Sequence, residues 1–137
     1  MNLFFSSAHH EILHTTLEGK PFQVFLSAAA RRALAERGTP LVAEMELYFS
    51  CLTRLRVRFH DGDPEGTATP VMPHLHIRFR PVITAHCDLH EVEGKPPVVD
   101  APLVNRAPFV PHWLRLDFRR DEWLGEFGHA VEAATRG

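Results

Sequence analysis

The feature that most constrains this chain is a two-residue alternation that runs through two long segments with one shared parity. From Val42 to His60 there is neither glycine nor proline. Met45, Leu47, Phe49, Cys51, Leu55, Val57 and Phe59 carry odd numbers, while Glu44, Glu46, Tyr48, Ser50, Arg54, Arg56, Arg58 and His60 carry even ones. A period of two belongs to an extended strand, whose successive side chains leave opposite faces, so one face is apolar and the other ionic. Beyond the turn formers of loop 61–73 the same parity returns. Leu75, Ile77, Phe79, Ile83 and Cys87 are odd, and His74, His76, Arg78, Arg80, Thr84, His86, Asp88 and His90 are even.

Two strands joined in sequence by a loop are expected to pair antiparallel. Setting His60 opposite His74 places Leu52 against Val82, Ser50 against Thr84, Tyr48 against His86 and Glu44 against His90. A slip of one residue would turn charged side chains into the core, so the parity is more strongly specified than the individual pairs. Pro81 has no N–H and falls beside Thr53 in this register, which predicts a bulge, bend or edge position there.

The remaining elements are shorter. Phe22–Leu26 reads as a strand, and Ser27 offers its hydroxyl as N-cap to a helix over 28–37, closed by Gly38. Glu18-Gly19-Lys20 reads as a turn into that strand. Val92 to Pro111 carries five prolines and is expected to run as an extended surface connection. His112–Phe118 alternates again, with Leu114, Leu116 and Phe118 inward and Arg115 and Asp117 outward. Trp123, Phe127, Ala130, Val131 and Ala134 recur at helical spacing, which predicts a helix over 121–134. The expected fold class is therefore α+β: an antiparallel β-sheet with a long central β-ribbon and two helices packed on its odd face, in one domain over 1–137. The length of 137 residues suits a single core.

Composition bounds the function only broadly. Nothing near the N-terminus resembles a secretory signal, and no run approaches the roughly 20 apolar residues that span a bilayer. Two cysteines, Cys51 and Cys87, share the apolar parity and read as core residues rather than a disulfide framework or nucleophiles. A cytoplasmic location is expected, with no membrane partner. A net charge of −2 argues against a surface that coats nucleic acid. Thirteen of the 15 basic residues are arginine, a bias that GC-rich bacterial genomes impose, and ten residues are histidine.

Charges on the even face are segregated along its length. Near the loop end stand Arg54, Arg56, Arg58, Arg78 and Arg80 with His60, His74 and His76. The expected pairing sets arginine opposite arginine, which demands an anion. A phosphate ligand, nucleic acid or acidic protein would supply it, since guanidinium forks match phosphate oxygens. So would Asp61, Asp63 and Glu65 in the loop, or Asp117, with no ligand at all.

At the far end, His86, Asp88 and His90 share the face with Glu44 and Glu46. Two imidazoles with carboxylates in reach form an acceptable set for a divalent transition metal such as zinc, iron, manganese or nickel. The same residues also make an ordinary solvated polar pairing. His10-Glu11-Ile12-Leu13-His14 matches H-E-x-x-H, which needs a helix to bring both histidines onto zinc, but its surroundings are β-prone. His74 and His76 are weaker metal candidates, because nearby guanidinium charge repels a dication.

Three functional expectations follow: a small metal-binding protein using the His/carboxylate set, a binding module for an anionic partner through the arginine ladder, or a structural homo-oligomer, dimer or larger, in which both clusters specify subunit contacts.

Overall fold

A computed structural model describes residues 10–49, 54–84, 98–101, 103 and 105–129. The strands are β1 (His10–Leu17), β2 (Lys20–Ser27), β3 (Leu41–Tyr48), β4 (Arg54–Asp61), β5 (Thr69–Met72), β6 (Leu75–Thr84), β7 (Val98–Asp100), β8 (Trp113–Arg119) and β9 (Glu122–Gly128). Among the described residues, one α-helix, α1 (Ala28–Ala35), follows β2 directly, and a 3-10 turn occupies Ala107–Phe109. The strands form two mixed sheets. The first has the order β1-β2-β8-β9, and the second the order β4-β3-β6-β5 with β7 also paired to β6.

This corrects the expected ribbon. Val42–His60 is not one strand: the chain reverses between Tyr48 and Arg54, and β3 pairs antiparallel with β4, Glu44 opposite Arg58 and Glu46 opposite Arg56. Nor do β4 and β6 pair with each other. Strand β3 lies between them and pairs parallel with β6, Glu44 opposite Arg78 and Glu46 opposite Arg80. The parity survives because both registers join odd residues to odd and even to even. Its survival explains why the facing of side chains was legible while the partners were not.

The second predicted helix is also absent from its described part. Glu122–Gly128 is strand β9, antiparallel to β8 through Arg119 opposite Glu122. Arg120 and Asp121 take φ of 54° and 64°, the paired left-handed conformation of a tight two-residue hairpin turn. Trp123, Gly125 and Phe127 then share a strand face, so a four-residue spacing that fits a helix is equally two pleats of a strand. The Glu18–Gly19 turn joins β1 to β2 in the same way, with φ of 51° and 82°.

The odd face of the second sheet is covered by the first sheet rather than by two helices. Met45, Ile77 and Leu75 meet Val24, Leu114 and Leu116 in one core, to which α1 adds Ala30 and Leu34. At one margin β4 lies alongside β9, where Phe59 packs 6.1 Å from Trp123 and Gly125 leaves room for Phe59 and Val57. Ser27 caps α1 as expected, accepting from Ala30 N at 3.0 Å. Its hydroxyl also donates to Asp117 Oδ1 at 2.5 Å. Asp117 is therefore buried, not outward, with 1% exposure, whereas Phe118 is only half-buried.

Pro81 sits within β6 without breaking it. Its carbonyl accepts from Ala101 N on the β7 side, while the carbonyl of Val82 turns to Phe49 N. The missing N–H therefore faces the margin where β5 has ended and β7 has barely begun, and no ladder bond is lost to β3. Beside it the Phe79 carbonyl accepts from Arg106 at 2.9 Å, so a guanidinium stands where a strand would be. The same guanidinium holds Glu18 with two bonds of 2.9 and 2.7 Å, tying the β1–β2 turn to this gap.

Candidate functional site

On the even, outward face of the second sheet an acidic strand runs between two basic ones. Glu44 and Glu46 point the same way from β3, flanked by Arg58 and His60 from β4 and by Arg78 and Arg80 from β6. The arginines that the expected register set against each other are thus separated by carboxylates, which corrects the predicted arginine-on-arginine ladder. Arg78 donates from Nε to Glu44 Oε1 at 2.9 Å, and Arg58 from Nε to Glu46 Oε2 at 3.1 Å. Arg80 lies between both carboxylates at 3.6 and 3.8 Å and donates from Nε to Asp100 at 2.6 Å.

Long arginine side chains laid across β3 bury its acids almost completely: Glu44 is 3% exposed and Glu46 0%. The loop after β4 folds over the same face. Asp63 accepts from Gly66 N and Ala68 N, approaches His76 Nδ1 at 3.5 Å and lies 3.8 Å from Arg78. Thr67 accepts from Arg78 at 2.7 Å.

Electrostatics divides the two buried acids. For Glu46, burial and then the hydrogen-bonded Glu44 carboxylate beside it push the carboxyl above its ordinary range, against the pull of Arg58. For Glu44, burial pushes upward too, but hydrogen bonds from Glu46 and Arg78 and the charges of Arg78 and Arg80 outweigh it and hold the carboxyl low. Of the two acids, Glu46 is the one whose protonated form its surroundings favour. His60 is pushed below its ordinary range by burial and by the charges of Arg78 and Arg58.

A cleft of about 1120 Å³ opens over this network, lined by Glu44, Arg58, His60, Arg78 and Arg80, by the loop after β4, and by the Arg106 gap. His60 Nε2 is buried in it without a hydrogen-bond partner, and the Glu44 carboxylate, whose Oε2 no N–H reaches, is hydrogen-bonded to the Glu46 carboxyl. Meanwhile Arg58, which also bonds Tyr48, and Arg80 are 27% and 33% exposed and keep terminal N–H groups beyond the bonds they make to protein.

The other predicted site residues are distributed as follows. Arg54 and Arg56 are exposed at the open end of β4, with Arg54 lying over the Tyr48 ring at 5.2 Å. His74 is committed to the Leu34 carbonyl at the end of α1, 2.9 Å away. His10, Glu11 and His14 lie on strand β1, not on a helix. Glu11 and His14 consequently leave opposite faces, and Glu11 pairs with Arg31 at 2.6 Å. His86, Asp88, His90, Cys51 and Cys87 lie outside the described residues. Among the described residues no group of three or more histidine, cysteine or acidic side chains is placed to hold a metal ion.

Sequence reasoning missed Asp100 and the Arg106–Glu18 pair, since nothing local marks residues so distant in the chain as neighbours. It also missed that Glu44 and Glu46 are the arginines' counter-ions. That signal was present: two acids followed by Arg54, Arg56 and Arg58, complementary when the chain folds back between them.

No protein family, curated protein or solved structure matches the chain. Among the described residues no helix is long and apolar enough to cross a membrane.

Proposed function

We propose that this protein is a binding module for a small anionic ligand, held in the cleft by Arg58 and Arg80 with Arg78 behind them. The observation that carries this reading is the unequal use of the guanidinium groups. Arg78 is engaged by Glu44 and Thr67, whereas Arg58, bonded to Glu46 and Tyr48, and Arg80, bonded to Asp100, keep further terminal donors beside the cleft. Guanidinium forks suit a phosphate or carboxylate, and the underlying acids fix their positions before the ligand arrives. A concave site of this size favours a small molecule over an extended polyanion, and the chain's net charge of −2 favours it further.

A metal at Glu44 and Glu46 would have to compete with three arginines for the same oxygens, so metal binding is left to His86, Asp88 and His90 as a separate proposal, tested by elemental analysis of the purified protein. A cytoplasmic location and a homo-oligomeric state are likewise separate proposals, tested by cell fractionation and light scattering.

The test of the anion reading is calorimetric titration with inorganic phosphate and with citrate at low and high salt. Saturable binding that weakens with salt, and falls about ten-fold in Arg80→Gln, is the expected result. Absence of binding up to millimolar concentrations, or affinity unchanged by the substitution, overturns the reading.

A further inference from the structure

Among the described residues, four carboxylates stand within ion-pair reach of Arg58, Arg78 and Arg80: Glu44, Glu46, Asp63 and Asp100. Three of these are buried. The side chains of Glu44, Glu46 and Asp63 are at most 6% exposed, and Asp63 is held besides by Gly66 N and Ala68 N. Asp100 differs from them in being 78% exposed while it accepts from Arg80 Nε at 2.6 Å.

Backbone pairing puts it there. Strand β7 lays Asp100 opposite Val82, two residues along from Arg80 on the same face of β6, and just beyond it Ala101 N donates to the Pro81 carbonyl. An exposed carboxylate is thereby kept at the guanidinium that an incoming anion needs. A solvated ion pair of this kind contributes little to stability, yet its charge opposes a second anion at the same arginine. Resting on the anion-binding reading above, we propose that Asp100 is an internal competitor for the cleft: its carboxylate occupies Arg80 as the ligand's anionic group would, and so sets how tightly the ligand is held. The buried acids position the guanidinium groups, and Asp100 opposes the ligand.

The cleft supplies its own control for charge. Asp61 lines the same cleft and is also 78% exposed, but its partners are Arg37 and Thr39. The experiment is calorimetric titration of the full chain with inorganic phosphate at low salt, on the wild type, Asp100→Asn and Asp61→Asn. Both substitutions remove one negative charge and keep the side-chain shape at an exposed position. Asp100→Asn is expected to bind phosphate about five-fold more tightly than the wild type, and Asp61→Asn to stay within about two-fold of it. Unchanged affinity in Asp100→Asn overturns the proposal, and weaker binding overturns it by making Asp100 a positioning residue for Arg80. An equal gain in Asp61→Asn overturns it too, since the effect would then be one of net charge. In each of these cases the anion reading stands. Phosphate binding in none of the three proteins overturns both readings together.

Discussion

Arg78 and Glu44 pair at 2.9 Å across two parallel strands, at a sequence separation of 34. Neither residue is close to the other in the chain, and the contact exists only because β3 has been inserted between β4 and β6. A carboxylate as buried as Glu44 is tolerated because guanidinium groups reach it from the side. Removing one partner is therefore worse than removing both. Arg78→Ala is expected to cost about 3 kcal/mol in urea unfolding, at the low end for a buried pair because Arg80 stays nearby, whereas Arg78→Met with Glu44→Leu is expected to cost much less. Equal losses from the single and the double substitution would show that the pair is not coupled.

Glu46 gives a pH-dependent expectation of opposite sign to an ordinary ion-paired acid. Its folded pKa is raised above the ordinary 4.5, so the folded state holds more protons than the unfolded chain between 4.5 and the raised value. Stability contributed by this group therefore falls as pH rises through that window and is constant on either side. Glu46→Gln, which cannot ionise, is expected to gain on the wild type across the same window, read as the difference in melting temperature from pH 4 to 8. A difference moving in favour of the wild type would mean that Glu46 is instead held ionised.

Ser27 serves two elements at once, capping α1 through Ala30 N and donating to the buried Asp117 on β8. Loss of a cap costs about 1 kcal/mol, and loss of a hydrogen bond to a charged acceptor costs about as much again. Ser27→Ala is expected to lose about 2 kcal/mol by urea denaturation, and Ser27→Asp less of the cap but more through repulsion from Asp117. A loss under about 0.5 kcal/mol in Ser27→Ala would indicate that neither bond contributes.

Gly128 faces the ring of Trp113 across the β8–β9 pair. A methyl group placed there would lie 2.7 Å from Cζ2 and 2.9 Å from Cε2 of a ring that is 8% exposed and packed on Phe25. Gly128→Ala is expected to destabilise by about 1–3 kcal/mol and to alter the near-ultraviolet circular dichroism of the tryptophan. An unchanged spectrum with unchanged stability would place Trp113 elsewhere.

How much of this was legible in the sequence follows from which physical signals are local. Parity is local, so the ionic face, the apolar face, the Ser27 cap and the Glu18–Gly19 turn were all readable. Strand partnership is not. The sequence between β3 and β4 holds no glycine, proline or asparagine, so two strands looked like one. Arg120 and Asp121 hide a hairpin for the same reason, and the four-residue step from Trp123 to Phe127 satisfies a helix as well as a strand. For the site, the arginines and Glu44 and Glu46 were singled out, but as two separate clusters. The antiparallel ribbon placed them at opposite ends, whereas the parallel β3–β6 register places them side by side.

Anion binding in the cleft requires Arg58 and Arg80 to turn guanidinium hydrogens toward the ligand while β3 holds them in place. Nuclear magnetic resonance of the arginine Nε–Hε groups during titration with phosphate reads this most directly. Saturable shifts at Arg58 and Arg80, with those of Arg31 and Arg119 unmoved, are the predicted result. Shifts of equal size at all arginines, or none at these two, would contradict it.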